Sequence, residues 1–129
     1  MAEKDVIRTD RAPGPFQGAP YSQAIRVGDL VFVAGQLGIS LETGSLAGAG
    51  VTEQTEQIMA NLAAILDAAG SGLDKLVKTT VFLMDLGDFA AMNDVYAAHV
   101  GDRPPARSTV QISGLPSGAL VEIEAIAHV

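Results

Sequence analysis

The chain has 129 residues and is therefore long enough to bury a core without disulfides. It contains no cysteine, 18% of its residues are charged, and its net charge is −7. The lack of cysteine excludes thiolate nucleophiles and cysteine-based zinc sites, and the acidic balance argues against nonspecific binding to nucleic acid or anionic membranes. Because 48% of the residues are apolar and few are charged, we expect part of the apolar surface to be buried between identical subunits.

Residues 1–129 are interpreted as a single domain with a peripheral N-terminal segment over residues 1–18, which is polar at first and then rich in proline and glycine. The start of the chain is charged and has no apolar stretch typical of a secretory signal, and no apolar run is as long as a membrane span. We therefore expect a soluble cytoplasmic protein.

The first predicted elements are two strands joined by a tight turn. Tyr21 to Val27 and Leu30 to Gln36 flank Gly28-Asp29, and this two-residue spacing is typical of a β-hairpin. Residues 37–50 contain four glycines and predict a long loop before the first helix. No Gly-Lys-Ser/Thr follows these glycines, which argues against a phosphate-binding loop.

Two helices are predicted from apolar residues that recur every three or four positions. The first begins near Glu53 and ends at Gly70, and the second ends at Gly101. Their apolar stripes are Ile58, Leu62, Ile65, Leu66 and Ala69 in the first helix, and Phe89, Met92, Tyr96 and Val100 in the second. A stretch rich in valine and threonine over residues 75–84 separates the helices and predicts a strand.

Two strands with alternating character are predicted near the end of the chain. Arg107 and Thr109 alternate with Ser108 and Val110, and Glu122 and Glu124 alternate with apolar residues in the stretch 121–127. If the strands pair as an antiparallel hairpin, Arg107 shares a face with Glu122 or Glu124. A guanidinium beside a carboxylate can hold an anionic substrate next to a general base, or it can be a plain ion pair. Spacing alone favours the ion pair.

The whole order, β-β-α-β-α-β-β, is typical of an α+β fold with a mixed sheet and two helices on one face. Other candidate residues are ambiguous when taken singly. Tyr21 is more often an interface or core aromatic than a ligand contact, and Asn93 is more often an exposed polar residue. His99 and His128 have no spacing typical of a metal site or a catalytic triad.

Seven short blocks, which occur in order between about Ala19 and Ala127, resemble the RidA (reactive intermediate deaminase, YjgF-like) family. They are Pro20-Tyr21-Ser22-Gln23-Ala24, Val33-Ala34-Gly35-Gln36, residues 77–83, residues 89–93, Pro105-Ala106-Arg107-Ser108, Leu115-Pro116 and residues 121–127. The resemblance implies a chorismate-mutase-like α+β fold that assembles as a homotrimer with active sites between subunits. It also implies hydrolysis of 2-imino acids and their enamines to 2-oxo acids and ammonia, with no cofactor and no metal.

The resemblance assigns roles to six residues. Arg107 matches the arginine that binds the substrate carboxylate, and Glu122 matches the glutamate that deprotonates the attacking water. Tyr21, Gly35, Thr109 and Asn93 match positions that line the substrate pocket or lie close to it. Departures from the family pattern are Ala19 for glycine, Ala34 for serine, Thr109 for cysteine and Gln111 for glutamate, and those at Ala34 and Thr109 change the pocket wall.

Two other functions compete with imine hydrolysis. One is a non-catalytic module that binds small anions such as 2-oxo acids in the same cleft, for which Arg107 alone would suffice. The other is a ribonuclease or translation inhibitor, as proposed for some relatives. The acidic composition argues against it.

Overall fold

A mixed six-stranded sheet carries two helices on one face in the computed structural model, which describes residues 3–129. The strands are β1 (Lys4–Ile7), β2 (Ala24–Val27), β3 (Leu30–Leu37), β4 (Leu76–Leu83), β5 (Ala106–Gln111) and β6 (Val121–His128), and the helices are α1 (Val51–Ala68) and α2 (Phe89–Val100). The strand order is β1-β2-β3-β6-β4-β5, with only β4 and β5 parallel to each other. The predicted α+β class is confirmed.

The core lies between the helices and one face of the sheet. Alternation in β6 turns Val121, Ile123, Ala125 and Ala127 towards the helices, and all four side chains are buried. The predicted stripe of α1 is confirmed, since Ile58, Leu62, Ile65, Leu66 and Ala69 are all buried in the same cluster. Burying each large apolar side chain contributes about 1.5–3 kcal/mol to stability.

No helix covers the other face of the sheet in the described part of the chain. Phe32 and Val110 belong to this face, and each is more than 40% exposed. Ile126, opposite Phe32 in the β3–β6 register, is partly buried. The same face carries Lys78, Glu122 and Glu124, so its apolar side chains are interspersed with charged ones.

Turns occur where glycine was expected to allow them. The predicted hairpin is confirmed as β2 and β3, which pair antiparallel around Gly28 at φ 57°. The helices end, as predicted, next to glycines in the left-handed region, with Gly70 at φ 80° and Gly101 at φ 72°.

The N-terminal segment adds a strand that sequence patterns did not predict. β1 pairs antiparallel with β2 at the edge of the sheet. The segment that follows is fastened by the buried Gln23, whose amide donates to the carbonyls of Thr9, Ala12 and Pro13 and accepts from the N–H of Thr9. Residues 9–13 are therefore held against the start of β2.

The predicted pairing of the last two strands is wrong. β5 pairs in parallel with β4, and β6 lies on the other side of β4, between β3 and β4. The reason is the βαβ connection through α2, which returns the chain parallel to β4 and makes β5 an edge strand. The connection over residues 112–120 then has to pass β4 before the chain enters the centre of the sheet.

The predicted stripe of α2 holds with one exception. Met92, Tyr96 and Val100 are buried, but Phe89 is 42% exposed because it lies at the start of the helix, beyond the core.

Among residues 3–129, no helix is both long enough and apolar enough to cross a membrane.

Candidate active site

A cavity of about 870 Å³ lies against the face of the sheet that carries no helix. Three of the predicted site residues, Tyr21, Gly35 and Glu122, line it together with Phe82. We call this region the glutamate cleft. Tyr21 accepts a hydrogen bond at its hydroxyl from the backbone N–H of Phe16, which fixes the turn at the rim of the cleft.

A β-bulge allows Glu122 to lie against the backbone of β3. Ala34 and Gly35 together oppose the single residue Glu124 on β6, because the register shifts between Val33 and Gln36. A Cβ atom on Gly35 would lie 2.8 Å from Cδ of Glu122, which is closer than real Cβ contacts. Glycine at this position therefore makes room for the carboxylate.

The surroundings of Glu122 make its carboxylate a stronger base than an ordinary glutamate. Burial raises the pKa of Glu122, and the negative charge of Glu124 on the same face of β6 raises it further. Glu124 is exposed, whereas Glu122 is partly buried in the cleft. A carboxylate with a raised pKa accepts a proton from water more readily, which suits a general base.

The second group of predicted residues lies between α2 and β5, in a region that we call the arginine cleft. Arg107 and Thr109 point from β5 towards α2, and Asn93 lies on the α2 stripe with Phe89 and Tyr96. Cζ of Arg107 lies 4.8 Å from the ring centroid of Tyr96 and 5.5 Å from that of Phe89. Within residues 3–129 its guanidinium has no carboxylate partner.

Two buried polar atoms of the arginine cleft have no hydrogen-bond partner among the described residues. They are Oδ1 of Asn93 and Oγ1 of Thr109. Buried oxygens without a partner are uncommon in folded proteins because their desolvation costs about 1–3 kcal/mol. Together with the unpaired guanidinium, they leave a polar region in which hydrogen bonds are still available.

The two clefts lie on opposite faces of the sheet. Arg107 is the register partner of Thr79 and Glu122 is the partner of Phe82, so each shares a face with its partner. Thr79 and Phe82 are three residues apart on β4 and therefore point to opposite faces. The buried hydroxyl of Thr79 bonds to Tyr96 of α2, which identifies the Arg107 face as the helix face.

One chain therefore does not bring Arg107 and Glu122 to the same ligand. β4 separates their strands, so the backbones of β5 and β6 are about 10 Å apart, and the hydrogen-bonded sheet lies between the side chains. The structure joins Tyr21, Gly35 and Glu122 in one cleft and Arg107, Thr109 and Asn93 in the other. The hypothesis of an ion pair between Arg107 and Glu122 within one chain is excluded.

Sequence reasoning missed the aromatic contacts of Arg107. Phe89 and Tyr96 were interpreted as core residues of α2, but both rings face the guanidinium. The spacing of Phe89, Asn93 and Tyr96 could have indicated this arrangement. These residues stand at positions i, i+4 and i+7, so the amide of Asn93 lies between two aromatic rings on one face of the helix.

Known proteins resemble the chain over nearly its whole length. A family model described as Endoribonuclease L-PSP matches residues 11–129. A RutC family protein of Pyrococcus abyssi is 50% identical over 97% of this chain and 97% of its own length. A 2-iminobutanoate/2-iminopropanoate deaminase of Mus musculus is 42% identical over 96% of this chain and 90% of its own length.

Solved structures share the fold at similar identity. RidA from an Antarctic Psychrobacter species has a TM-score of 0.92 and 44% identity, covering 97% of this chain and 99% of that one. TdcF of E. coli with bound serine has a TM-score of 0.88 and 40% identity, covering 97% of this chain and 98% of that one.

Proposed function

Because the chain belongs to the RidA (YjgF/RutC) family, also described as Endoribonuclease L-PSP, we propose that it hydrolyses reactive 2-imino acids and their enamines to 2-oxo acids and ammonia. The relative from Mus musculus is named for this activity on 2-iminobutanoate and 2-iminopropanoate. Removal of such intermediates would protect other enzymes from them.

One combination of groups carries the proposal: among residues 3–129 the guanidinium of Arg107 has no carboxylate partner, and Glu122 is a partly buried carboxylate with a raised pKa. The two groups provide what the reaction needs. A guanidinium binds a carboxylate through two parallel N–H···O bonds, an arrangement that lysine reproduces poorly. A carboxylate that is a stronger base than usual can take a proton from water.

In the proposed reaction Arg107 binds the carboxylate of the 2-imino acid. Glu122 accepts a proton from a water molecule while the oxygen of that water bonds to the imine carbon. The electron pair of the C=N bond moves to nitrogen, and Glu122 returns the proton to that nitrogen, which gives a 2-amino-2-hydroxy acid. Glu122 then takes the proton of the hydroxyl group and delivers it to the amino group. The electron pair of the O–H bond forms the new carbonyl, the C–N bond breaks, and ammonia leaves. Imine and water are consumed, and 2-oxo acid and ammonia are formed.

Because the two clefts lie on opposite faces of the sheet, a substrate that contacts Arg107 and Glu122 together would lie between two copies of the chain. We propose that the arginine cleft of one subunit meets the glutamate cleft of the next, so that the substrate lies between subunits. The helix-free face of the sheet, which exposes Phe32 and Val110, provides a surface for such a contact. Family resemblance favours three subunits, and a ring of three places one such site at each interface.

The bound ligand of one relative supports the substrate class. TdcF of E. coli has been crystallised with serine, a small molecule with a carboxylate and a nitrogen on the adjacent carbon. A 2-imino acid carries the same two groups. In this chain, Asn93, Thr109 and Tyr21 are the proposed partners for the remaining polar atoms of the substrate, and Gly35 provides space and backbone beside its reacting carbon.

The test is the release of 2-oxobutanoate from 2-iminobutanoate generated in the cuvette by an amino-acid oxidase. We expect wild type to accelerate release over the spontaneous reaction. Glu122→Gln should lose about 100- to 10,000-fold in kcat, and Arg107→Ala should raise KM by about 10- to 100-fold. Arg103→Ala is the matched control, since Arg103 is an exposed arginine just before β5. No acceleration by wild type would refute the proposal.

A binding module without turnover is the second candidate, and the serine found in TdcF is the observation that favours it. Titration calorimetry with 2-oxobutanoate distinguishes the two functions. Saturable binding with no deamination would support the module, whereas binding accompanied by turnover that depends on Glu122 supports the enzyme.

A further inference from the structure

The guanidinium of Arg107 contacts aromatic rings and forms no ion pair with an acid among residues 3–129. Its Cζ atom lies 4.8 Å from the centre of the Tyr96 ring and 5.5 Å from the centre of the Phe89 ring. Both distances fall within the range of a cation–π interaction. No ion pair or side-chain hydrogen bond involves Arg107 in the part of the chain that the structure describes.

The Tyr96 ring is itself fixed from two sides. It is 5% exposed within the core, and its hydroxyl forms a 2.6 Å hydrogen bond with the buried hydroxyl of Thr79. Thr79 is also the register partner of Arg107 across β4 and β5. The ring, the threonine and the backbone of Arg107 therefore form one rigid unit that joins α2 to the sheet.

The contact with the two rings leaves the hydrogen-bonding edge of the Arg107 guanidinium free. A guanidinium has five N–H donors, and none of those of Arg107 forms a side-chain hydrogen bond or an ion pair among residues 3–129. A carboxylate from the protein would occupy these donors and compete with a substrate. Burial raises the pKa of Tyr96, despite the Thr79 hydrogen bond and the charge of Arg107, so the ring remains a neutral phenol at physiological pH and does not compete as an anion.

We propose that Tyr96 and Phe89 are positioning residues, an aromatic pair that holds the guanidinium of Arg107 ready to bind the substrate carboxylate. Tyr96 is the buried support and Phe89 is the exposed one. This inference rests on the proposed function, because it assigns a purpose to the free edge of Arg107. An arginine side chain that is already ordered loses less entropy when a ligand binds, which strengthens binding without an added contact.

The test compares KM and kcat for 2-iminobutanoate in wild type and ring variants. We expect Tyr96→Leu to raise KM about 10-fold and Phe89→Leu about 2- to 5-fold, with kcat unchanged within about 2-fold, because substrate capture weakens and Glu122 is untouched. Tyr96→Phe keeps the ring and should keep KM within about 2-fold of wild type. Met92→Ala removes more volume than Tyr96→Leu from the buried face of α2 and is the control for loss of packing.

A second readout is independent of catalysis. Ring currents should shift the NMR signal of the Arg107 side-chain Nε–H away from that of a free arginine, with Arg107→Lys used for assignment. Tyr96→Leu should move the signal back, and Phe89→Leu, at a position that is 42% exposed, tests the second ring without a cost to the core.

The outcomes separate the inference from the proposed function. An unshifted signal in wild type, or equal KM changes in Tyr96→Leu and Met92→Ala, would overturn the aromatic pair. If wild type does not deaminate, the proposed function fails. In that case the NMR signal and the Kd for 2-oxobutanoate are measured in the same variants. An unshifted signal in wild type, or equal changes of Kd in Tyr96→Leu and Met92→Ala, would then overturn the aromatic pair.

Discussion

Mixing two variants that have little activity at substrate concentrations well below KM tests whether the active site is shared between subunits. Arg107→Ala destroys the arginine cleft and leaves the glutamate cleft intact, while Glu122→Gln does the reverse. An assembly of either variant alone lacks one of the two side chains in every site. In a mixed assembly, however, an intact arginine cleft can meet an intact glutamate cleft of a neighbour.

The expected recovery follows from the geometry. Each shared site needs one Glu122→Gln subunit, which provides Arg107, followed by one Arg107→Ala subunit, which provides Glu122. With equal amounts and random assembly, each condition holds for half of the positions, so about a quarter of the wild-type activity should return. A site built within one chain would recover nothing.

The assay is 2-oxobutanoate release by the two variants co-refolded from denaturant in equal amounts. A matched control mixes wild type with the double variant Arg107→Ala/Glu122→Gln. A shared site again predicts about a quarter of wild-type activity, whereas a site within one chain predicts about half. Each variant refolded alone sets the background.

Absence of recovery in the mixture of single variants would contradict the shared site, provided that mass spectrometry shows mixed assemblies. Half of the wild-type activity in the double-variant control would contradict it independently. Either result would mean that a substrate reaches Arg107 and Glu122 of one chain despite the sheet between them.

Three further predictions concern the glutamate cleft. Glu124→Gln should lower the pKa of Glu122 by removing a neighbouring negative charge, so the acidic limb of the kcat/KM profile should move to lower pH, and an unmoved limb would contradict this. Gly35→Ala should reduce kcat about 100-fold by displacing Glu122, with an unchanged melting temperature, while Gly114→Ala, whose Cβ would meet nothing within 4 Å, should be silent in both measurements. The raised pKa means that folded Glu122 is stabilised by protonation, and this contribution is lost as pH rises through the folded pKa. Glu122→Gln should therefore melt higher than wild type at neutral pH, the difference should vanish below the unfolded pKa, and equal melting temperatures at pH 7 would refute the shift.

Local patterns predicted most of the fold. The apolar stripe of α1, the hairpin around Gly28 and the glycines that end both helices depend on residues close together in the chain. β1 could not be predicted this way, because its four residues are largely exposed at a sheet edge and carry no apolar alternation. The exposure of Phe89 could not be predicted either, since the pattern of apolar residues along α2 does not show where the core ends.

From the sequence alone, the types of side chain in the candidate site and the strand that carries each of them were determined. Alternation placed Arg107 on one strand and Glu122 on another, and it showed which neighbours share a face with each of them, because successive side chains on a strand point to opposite faces. That β4 lies between these two strands was decided only by the tertiary structure. The pairing of β5 with β4 and of β6 with β3 joins residues far apart in the chain, and its energy depends on the assembled core. That pairing separates the two functional groups by a sheet and makes a second subunit part of the proposed active site.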